Sequence, residues 1–264
     1  MSPAITLTGK SRDASRGYQA ICCALRARRR PPNDDPFVIS VTELLQPPRI
    51  RALAWLNRHV LYNRPAQPER EMWALLGAGT HLALDDGSEG NELQMQQRVD
   101  AWTVCGRSDS IEERLLNFSV RDYKTASAAS APYGCKDEWI AQANLYAHLF
   151  RLFSWQGKPS AFDCSDIEVV VIYKDWKVRD GEKGILQPTV YRCPVWSHEE
   201  CSDFLRGRLY LHHLALDSLG LLPPRDLGPD PLPLQRCTKA EVWGGQRCQH
   251  YCPVSDFCPK EERP

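Results

Sequence analysis

Apolar and polar residues alternate with two different periods along this chain, and the changes of period mark out its elements. "PEREMWALLGAGTHLALDD" carries Trp73, Leu76, Thr80 and Leu84 at helical spacing, with Gly77 and Gly79 where another element can come close. Upstream, "FVISVTELLQPPRIRALAWLNRH" reads as a short extended stretch followed by a helix containing Arg49 to His59. From Glu92 the period shortens to two. "LQMQQRVDAWTVCGRSDSI" and "NFSVRDYKTA" read as strands separated by the polar turn "EERLL". "KDEWIAQANLYAHLFRLFSW" is an amphipathic helix, and "DIEVVVIYKDW" has the continuous β-branched character of a buried strand. "TVYRCPV" follows as another strand and "HEECSDFLRGRLYLHHLALDSLG" as a helix. This order predicts an α/β sandwich whose sheet is covered on both faces.

The two ends break the pattern. Residues 1–36 close with "RARRRPPNDDP", too rich in proline and charge for a packed core, so a flexible basic extension is expected. Its charge suits a nucleic-acid arm or a leader without function. Near the other end, the Pro-rich linker "LLPPRDLGPDPLPLQ" leads into a cysteine-dense tail. The expected division is the extension over 1–36, a core over 37–222, and linker plus tail over 223–264. A chain of 264 residues suits one large domain or two small ones.

Formal net charge is zero and says nothing about partners, but its distribution does. Residues 1–70 carry twelve Lys/Arg against five Asp/Glu, whereas 71–113 carry two against nine. That asymmetry suits a phosphate track leading to a metal site, or two solvated faces. No apolar run approaches the ~18 residues of a membrane-spanning helix. The N-terminus lacks the charged and apolar regions of a secretory signal. An intracellular, cytoplasmic protein with no membrane contact is expected. In that setting eleven cysteines point to metal or cluster ligation rather than to disulfides.

In a strand, residues i and i+2 face the same way, so Asp122 and Lys124 point together and Tyr123 points opposite. Burying such charges is costly unless they are paired or coordinate something. Asp109 lies near the end of the preceding strand, where an antiparallel hairpin would set it beside Asp122. Two carboxylates and the backbone carbonyl of Tyr123 make a hard-oxygen site suited to Mg²⁺ or Mn²⁺. A lysine beside them can orient or help deprotonate an attacking water. A surface ion pair on an edge strand is the plainer account of the same triplet. Glu92 is set aside as solvated. Cys105, Cys135, Cys164, Cys193 and Cys201 read as small buried apolar residues.

Taken in order, "GAGTHLAL", "GRSD", "RDYKTAS" and "AQANLY" resemble motifs I to IV of the PD-(D/E)XK nuclease superfamily. The resemblance is to the RecB-like branch, which includes phage recombination exonucleases and CRISPR-adaptation nucleases, and it runs from about residue 37 to the C-terminus. It implies a restriction-endonuclease-like core, a mixed central sheet flanked by helices, with a cysteine-rich cluster-binding tail. By motif, His81 and Asp109 are metal ligands, Asp122 and Lys124 are the acid and lysine of motif III, and Gln142 and Tyr146 are the Q-x-x-x-Y pair. The last two share one helix face, within reach of Lys124 or substrate phosphates.

In the tail, Cys248, Cys252 and Cys258 are spaced C-x3-C-x5-C, with Cys237 upstream. Four thiolates suit a structural Zn²⁺ or a [4Fe–4S] cluster. The resemblance favours the cluster and draws the fourth ligand from upstream of motif I, which here means Cys22 or Cys23. Proximity favours Cys237.

The function so implied is metal-dependent hydrolysis of DNA phosphodiesters, with exonuclease action in recombination, repair or phage replication, in a bacterial or phage-infected cell. DNA ends or single strands are the expected substrate, with Arg49 and Arg51 on phosphates and Trp139 and Tyr123 stacking on bases. A recombination partner protein and an oligomer are compatible with this reading. Two rivals stand beside it: a catalytically silent nuclease-like module that binds DNA or a recombination partner, and a zinc-stapled scaffold with structural acidic strands.

Overall fold

The computed structural model describes residues 16–222 and 233–263, apart from 86, 88–89, 115–116, 153, 156–157, 160–162, 260 and 262. Its centre is a six-stranded mixed sheet built from β1 (Val38–Ser40), β2 (Asn91–Val99), β3 (Trp102–Glu113), β4 (Asn117–Ala126), β7 (Asp163–Tyr173) and β8 (Thr189–Cys193). A separate two-residue ladder joins β5 (Ser154–Trp155) to β6 (Lys158–Pro159). The helices are α1 (Arg16–Ala27), α2 (Val41–Leu44), α3 (Pro48–Leu56), α4 (Arg58–Asn63), α5 (Pro68–Leu84), α6 (Asp137–Leu152), α7 (Val178–Glu182) and α8 (His198–Asp217).

β3 organises the sheet. Thr103 pairs with Arg98 of β2 and with Val38 of β1, while Ser110 pairs with Asn91 of β2 and with Arg121 of β4. A strand has two edges, so β2 fills one, and β1 and β4 share the other near its two ends. β4 then runs parallel to β7, the buried β-branched strand, and β8 closes the sheet antiparallel to β7.

α6 is the central helix. From Ala141 to Phe150 nearly every residue is buried, the signature of a helix enclosed on all sides. Asp137 and Glu138 occupy its first turn and Arg151 its last, matching the helix dipole. It lies close to β3 because Gly106 has no side chain. A Cβ there would come within 2.8 Å of Leu149 Cδ1 and 3.2 Å of the Tyr146 ring. α2 is only four residues long, held at its start by the Ser40–Glu43 capping box. At its other end the Leu44 carbonyl accepts from Arg208 and from His212 Nε2 of α8, so two α8 side chains satisfy an orphan helix terminus.

The pattern of apolar residues misplaces several boundaries. The run read as one strand before Ser110 is a hairpin, turning at Asp100–Ala101 with Asp100 at φ 52°. The helix read across Arg49 to His59 breaks at Asn57, whose Nδ2 caps the Leu53 carbonyl. Residues 16–27 of the supposed flexible extension form α1, which packs on α5 and buries Leu25. Residues 1–15 and the linker residues 223–232 lie outside the described residues. Trp73, Leu76 and Leu84 of α5 are exposed rather than buried. Only Gly77 of the two glycines marks a close approach, where a Cβ would sit 3.3 Å from Thr125 Oγ1.

Candidate metal centre

Three neighbouring strands each contribute one acid at the same level of the sheet. Glu92 falls between the Asn91–Ser110 and Leu93–Ser108 pairs, which sets it against Asp109. The Ser110–Arg121 pair sets Asp122 against Asp109 from the other side. Beyond Arg121 the ladder between β3 and β4 ends, and the Asp109 carboxylate takes over the role of a backbone acceptor. Its Oδ2 accepts from the Tyr123 N–H at 2.7 Å, and its Oδ1 lies 2.9 Å from His81 Nδ1 on α5. The fork between the two strands is thus held open by a side chain that also fixes the helix above it.

The ligand atoms of His81, Glu92 and Asp109 all lie within 4.8 Å of one another, the one such group of His, Cys, Asp or Glu among the described residues. His81, Glu92 and Asp109 would together hold a hard divalent cation such as Mg²⁺ or Mn²⁺. Two buried carboxylate oxygens each face one basic side chain of the chain: Glu92 Oε2 lies 2.7 Å from Arg107 Nε and Asp122 Oδ2 lies 2.6 Å from Lys124 Nζ. Both keep accepting capacity for a hard cation, and the oxygen-rich donor set fits one.

The electrostatics follow from burial and proximity. Desolvation lifts the Asp122 carboxyl above the usual range, against the pull of Lys124 and with the help of Asp109. For Lys124, burial works to lower the ammonium, but Asp122 and its neighbours outweigh it and leave it raised. The hydrogen bond to Asp109 raises His81. Burial raises the Tyr146 hydroxyl.

These groups line one open cleft of about 1490 Å³, which Arg28, Arg30, Trp73, Cys105 and Lys174 also border. Gln142 and Tyr146 face it together. They hydrogen-bond each other, Gln142 Nε2 donating to Tyr146 Oη at 2.7 Å. Tyr123 is seen to contribute its N–H to Asp109. Glu92, set aside as solvated, belongs to the centre. Its left-handed backbone, φ 51°, is the kind of outlier that collects at functional sites, and no sequence pattern announces it.

Arg49 and Arg51 do not present themselves to a nucleic acid. Both are buried: Arg49 donates to the Leu234 and Gln235 carbonyls, and Arg51 donates to those of Pro36 and Val38. Guanidiniums buried among chain carbonyls join segments of the fold and are not presented at the surface where a phosphate would meet them. Trp139 is partly buried against the core, with Lys136 Nζ 4.7 Å from its ring centre.

Cys237, Cys248, Cys252 and Cys258 surround a cavity of about 20 Å³ between α3 and the tail, together with Ile50, Leu53 and Arg49. Cys22 and Cys23 lie on α1 and do not line it. No three of the four sulfurs come within 4.8 Å of one another. Tetrahedral zinc with Zn–S bonds of ~2.3 Å would need sulfurs ~3.8 Å apart. Burial pushes the Cys237 thiol up to about 12.

The mixed sheet with its flanking helices has a counterpart among solved structures. The crystal structure of SSO0001 superposes with a TM-score of 0.58 over 95% of this chain and 98% of that one, at 14% identity. The likeness is one of fold. No family model and no curated protein matches the chain. Among the described residues no helix is long and apolar enough to cross a membrane.

Proposed function

We propose that this chain is a divalent-metal-dependent deoxyribonuclease of the PD-(D/E)XK type, acting as an exonuclease on DNA ends. One observation carries the reading: a His–Glu–Asp ligand group lies in the same cleft as a buried Asp–Lys pair one strand away. His81, Glu92, Asp109 and Asp122 would hold Mg²⁺ or Mn²⁺. A cation there supplies charge stabilisation on a phosphoryl oxygen and makes water a better nucleophile. Lys124, held as an ammonium by Asp122, orients the attacking water and stabilises the hydroxide formed from it. Gln142 and Tyr146 form a paired polar wall above the lysine, and Arg28, Arg30 and Lys174 border the cleft where a phosphate backbone would run. The product would carry a 5′-phosphate.

The tail thiols would hold a [4Fe–4S] cluster, the reading that the resemblance to the RecB-like branch favours. The cluster would staple the tail to α3. Its binding energy is then folding energy.

The test is digestion of end-labelled linear and closed circular DNA with Mg²⁺ or Mn²⁺, wild type beside Asp109→Ala and Lys124→Ala. Loss of linear DNA alone, abolished in both variants, is the expected result. Nicked circles would keep the centre but overturn the exonuclease assignment. No cleavage by protein with its tail metal intact would leave a silent DNA-binding module. Brown anaerobic protein with broad visible absorbance is expected, and a colourless preparation containing zinc would overturn the cluster.

A further inference from the structure

Two cysteines outside the tail face each other. Cys135 sits between the turn Ala128–Tyr133 and the start of α6, just after Gly134 at φ 72°. Cys193 is the last residue of β8 and pairs with Ile167 of β7. Their sulfurs are 3.8 Å apart. Cys135 is partly exposed and Cys193 is buried. Cys164 and Cys201 bond the Asp166 and Asn144 carbonyls, as Cys135 and Cys193 bond those of Lys136 and Tyr191; the sulfur–sulfur contact is what sets this pair apart.

We infer that Cys135 and Cys193 form a reversible disulfide by exchange with a low-molecular-weight disulfide such as oxidised glutathione. A disulfide bond is ~2.05 Å, so the sulfurs have to close by ~1.8 Å, a movement within reach of side-chain rotation. One thiolate of the pair attacks a sulfur of oxidised glutathione, forming a mixed disulfide and expelling one glutathione thiolate. The second protein thiolate then attacks the protein-side sulfur and expels the other. Two cysteine thiols lose two electrons and two protons, and oxidised glutathione leaves as two reduced molecules. The new bond ties the segment leading into α6 to the end of β8. α6 carries Gln142 and Tyr146, so the bond restrains the wall of the cleft.

The experiment incubates full-length protein with oxidised glutathione, blocks free thiols, and maps cysteine-containing peptides by mass under non-reducing conditions. A Cys135–Cys193 linked peptide that disappears with dithiothreitol is expected. In Cys193→Ser, a glutathione adduct should persist on Cys135 because nothing resolves it. Amide exchange over residues 134–140 should slow several-fold in the oxidised wild type and recover on reduction. Blocked, unlinked Cys135 and Cys193 in folded wild type, under conditions that modify the exposed Cys23, would overturn the inference. Peptide mapping needs no nuclease activity, so failure of the proposed reaction would leave this result unaffected.

Discussion

Lys124 and Asp122 illustrate how much one residue can decide. The carboxylate is almost entirely removed from water, and its ammonium partner stands 2.6 Å away. Deleting one member of a buried ion pair strands the other and typically costs about 3–5 kcal/mol. Lys124→Ala is expected to unfold at distinctly lower urea than wild type, and Lys124→Met with Asp122→Leu to recover much of the loss. A Lys124→Ala midpoint equal to wild type would show that the pair adds nothing to stability. Two buried histidines give a second residue-scale prediction. Burial lowers His148 to about 4 and His212 to about 3, from an ordinary 6.5. Between those values and 6.5 the unfolded chain binds protons that the folded chain refuses, so both groups erode stability as pH falls through that window. The slope of stability against pH from 6.5 to 4 should flatten in His212→Gln, as read by urea unfolding at several pH values. Sequence reading works at this scale where chemistry is local. Asp122 and Lys124 share a face because strands alternate, and Gln142 meets Tyr146 because helices turn. It fails where chemistry depends on who else is present. Arg49 and Arg51 look like phosphate contacts until carbonyls from distant segments occupy them. Glu92 looks solvated until a left-handed backbone turns it towards His81.

At the scale of elements, the meeting of α6 with β3 governs the cleft. Gly106→Ala would put a methyl 2.8 Å from Leu149 Cδ1 and 3.2 Å from Tyr146, so α6 has to shift outward. Overpacking of this kind costs about 1–3 kcal/mol. Cleavage should fall by more than the stability loss explains, because Tyr146 moves with the helix; unchanged kcat in folded Gly106→Ala would refute that coupling. The long, strongly patterned elements α6, β7 and α8 were legible from periodicity, since each buries enough apolar surface to impose its pattern. The hairpin at Asp100 was not, because its two strands share one alternating pattern with no glycine or proline between them. The helix α5 was legible, but the exposure of Trp73, Leu76 and Leu84 was not, since a helix that covers an open cleft can leave apolar residues exposed.

Across the whole molecule, the tail and the front of the chain are fastened to each other. Arg49 of α3 donates to the carbonyls just before Cys237, and Ile50 and Leu53 pack with Cys252 and Val254. Cys252→Ala should therefore lower the melting temperature and expose 237–258 to limited proteolysis while leaving the sheet protected from amide exchange. Full protection of the tail in that variant would mean that side-chain packing alone holds it. This long-range fastening was only half visible in the sequence. The spacing of Cys248, Cys252 and Cys258 is local, whereas their approach to α3 depends on the fold.

The three acids at the centre each have a basic side chain of the chain itself beside them: Asp109 has His81, Asp122 has Lys124 and Glu92 has Arg107. The tail thiols instead share a small cavity with the apolar side chains of Ile50, Leu53 and Val254 and with Arg49. The two centres are therefore expected to fail differently under a chelator. An ion bound in the cleft should be lost and regained reversibly with only a small shift of the unfolding curve, as an exchangeable part. A metal bound by the tail thiols should leave slowly and take local structure with it, as a permanent fitting.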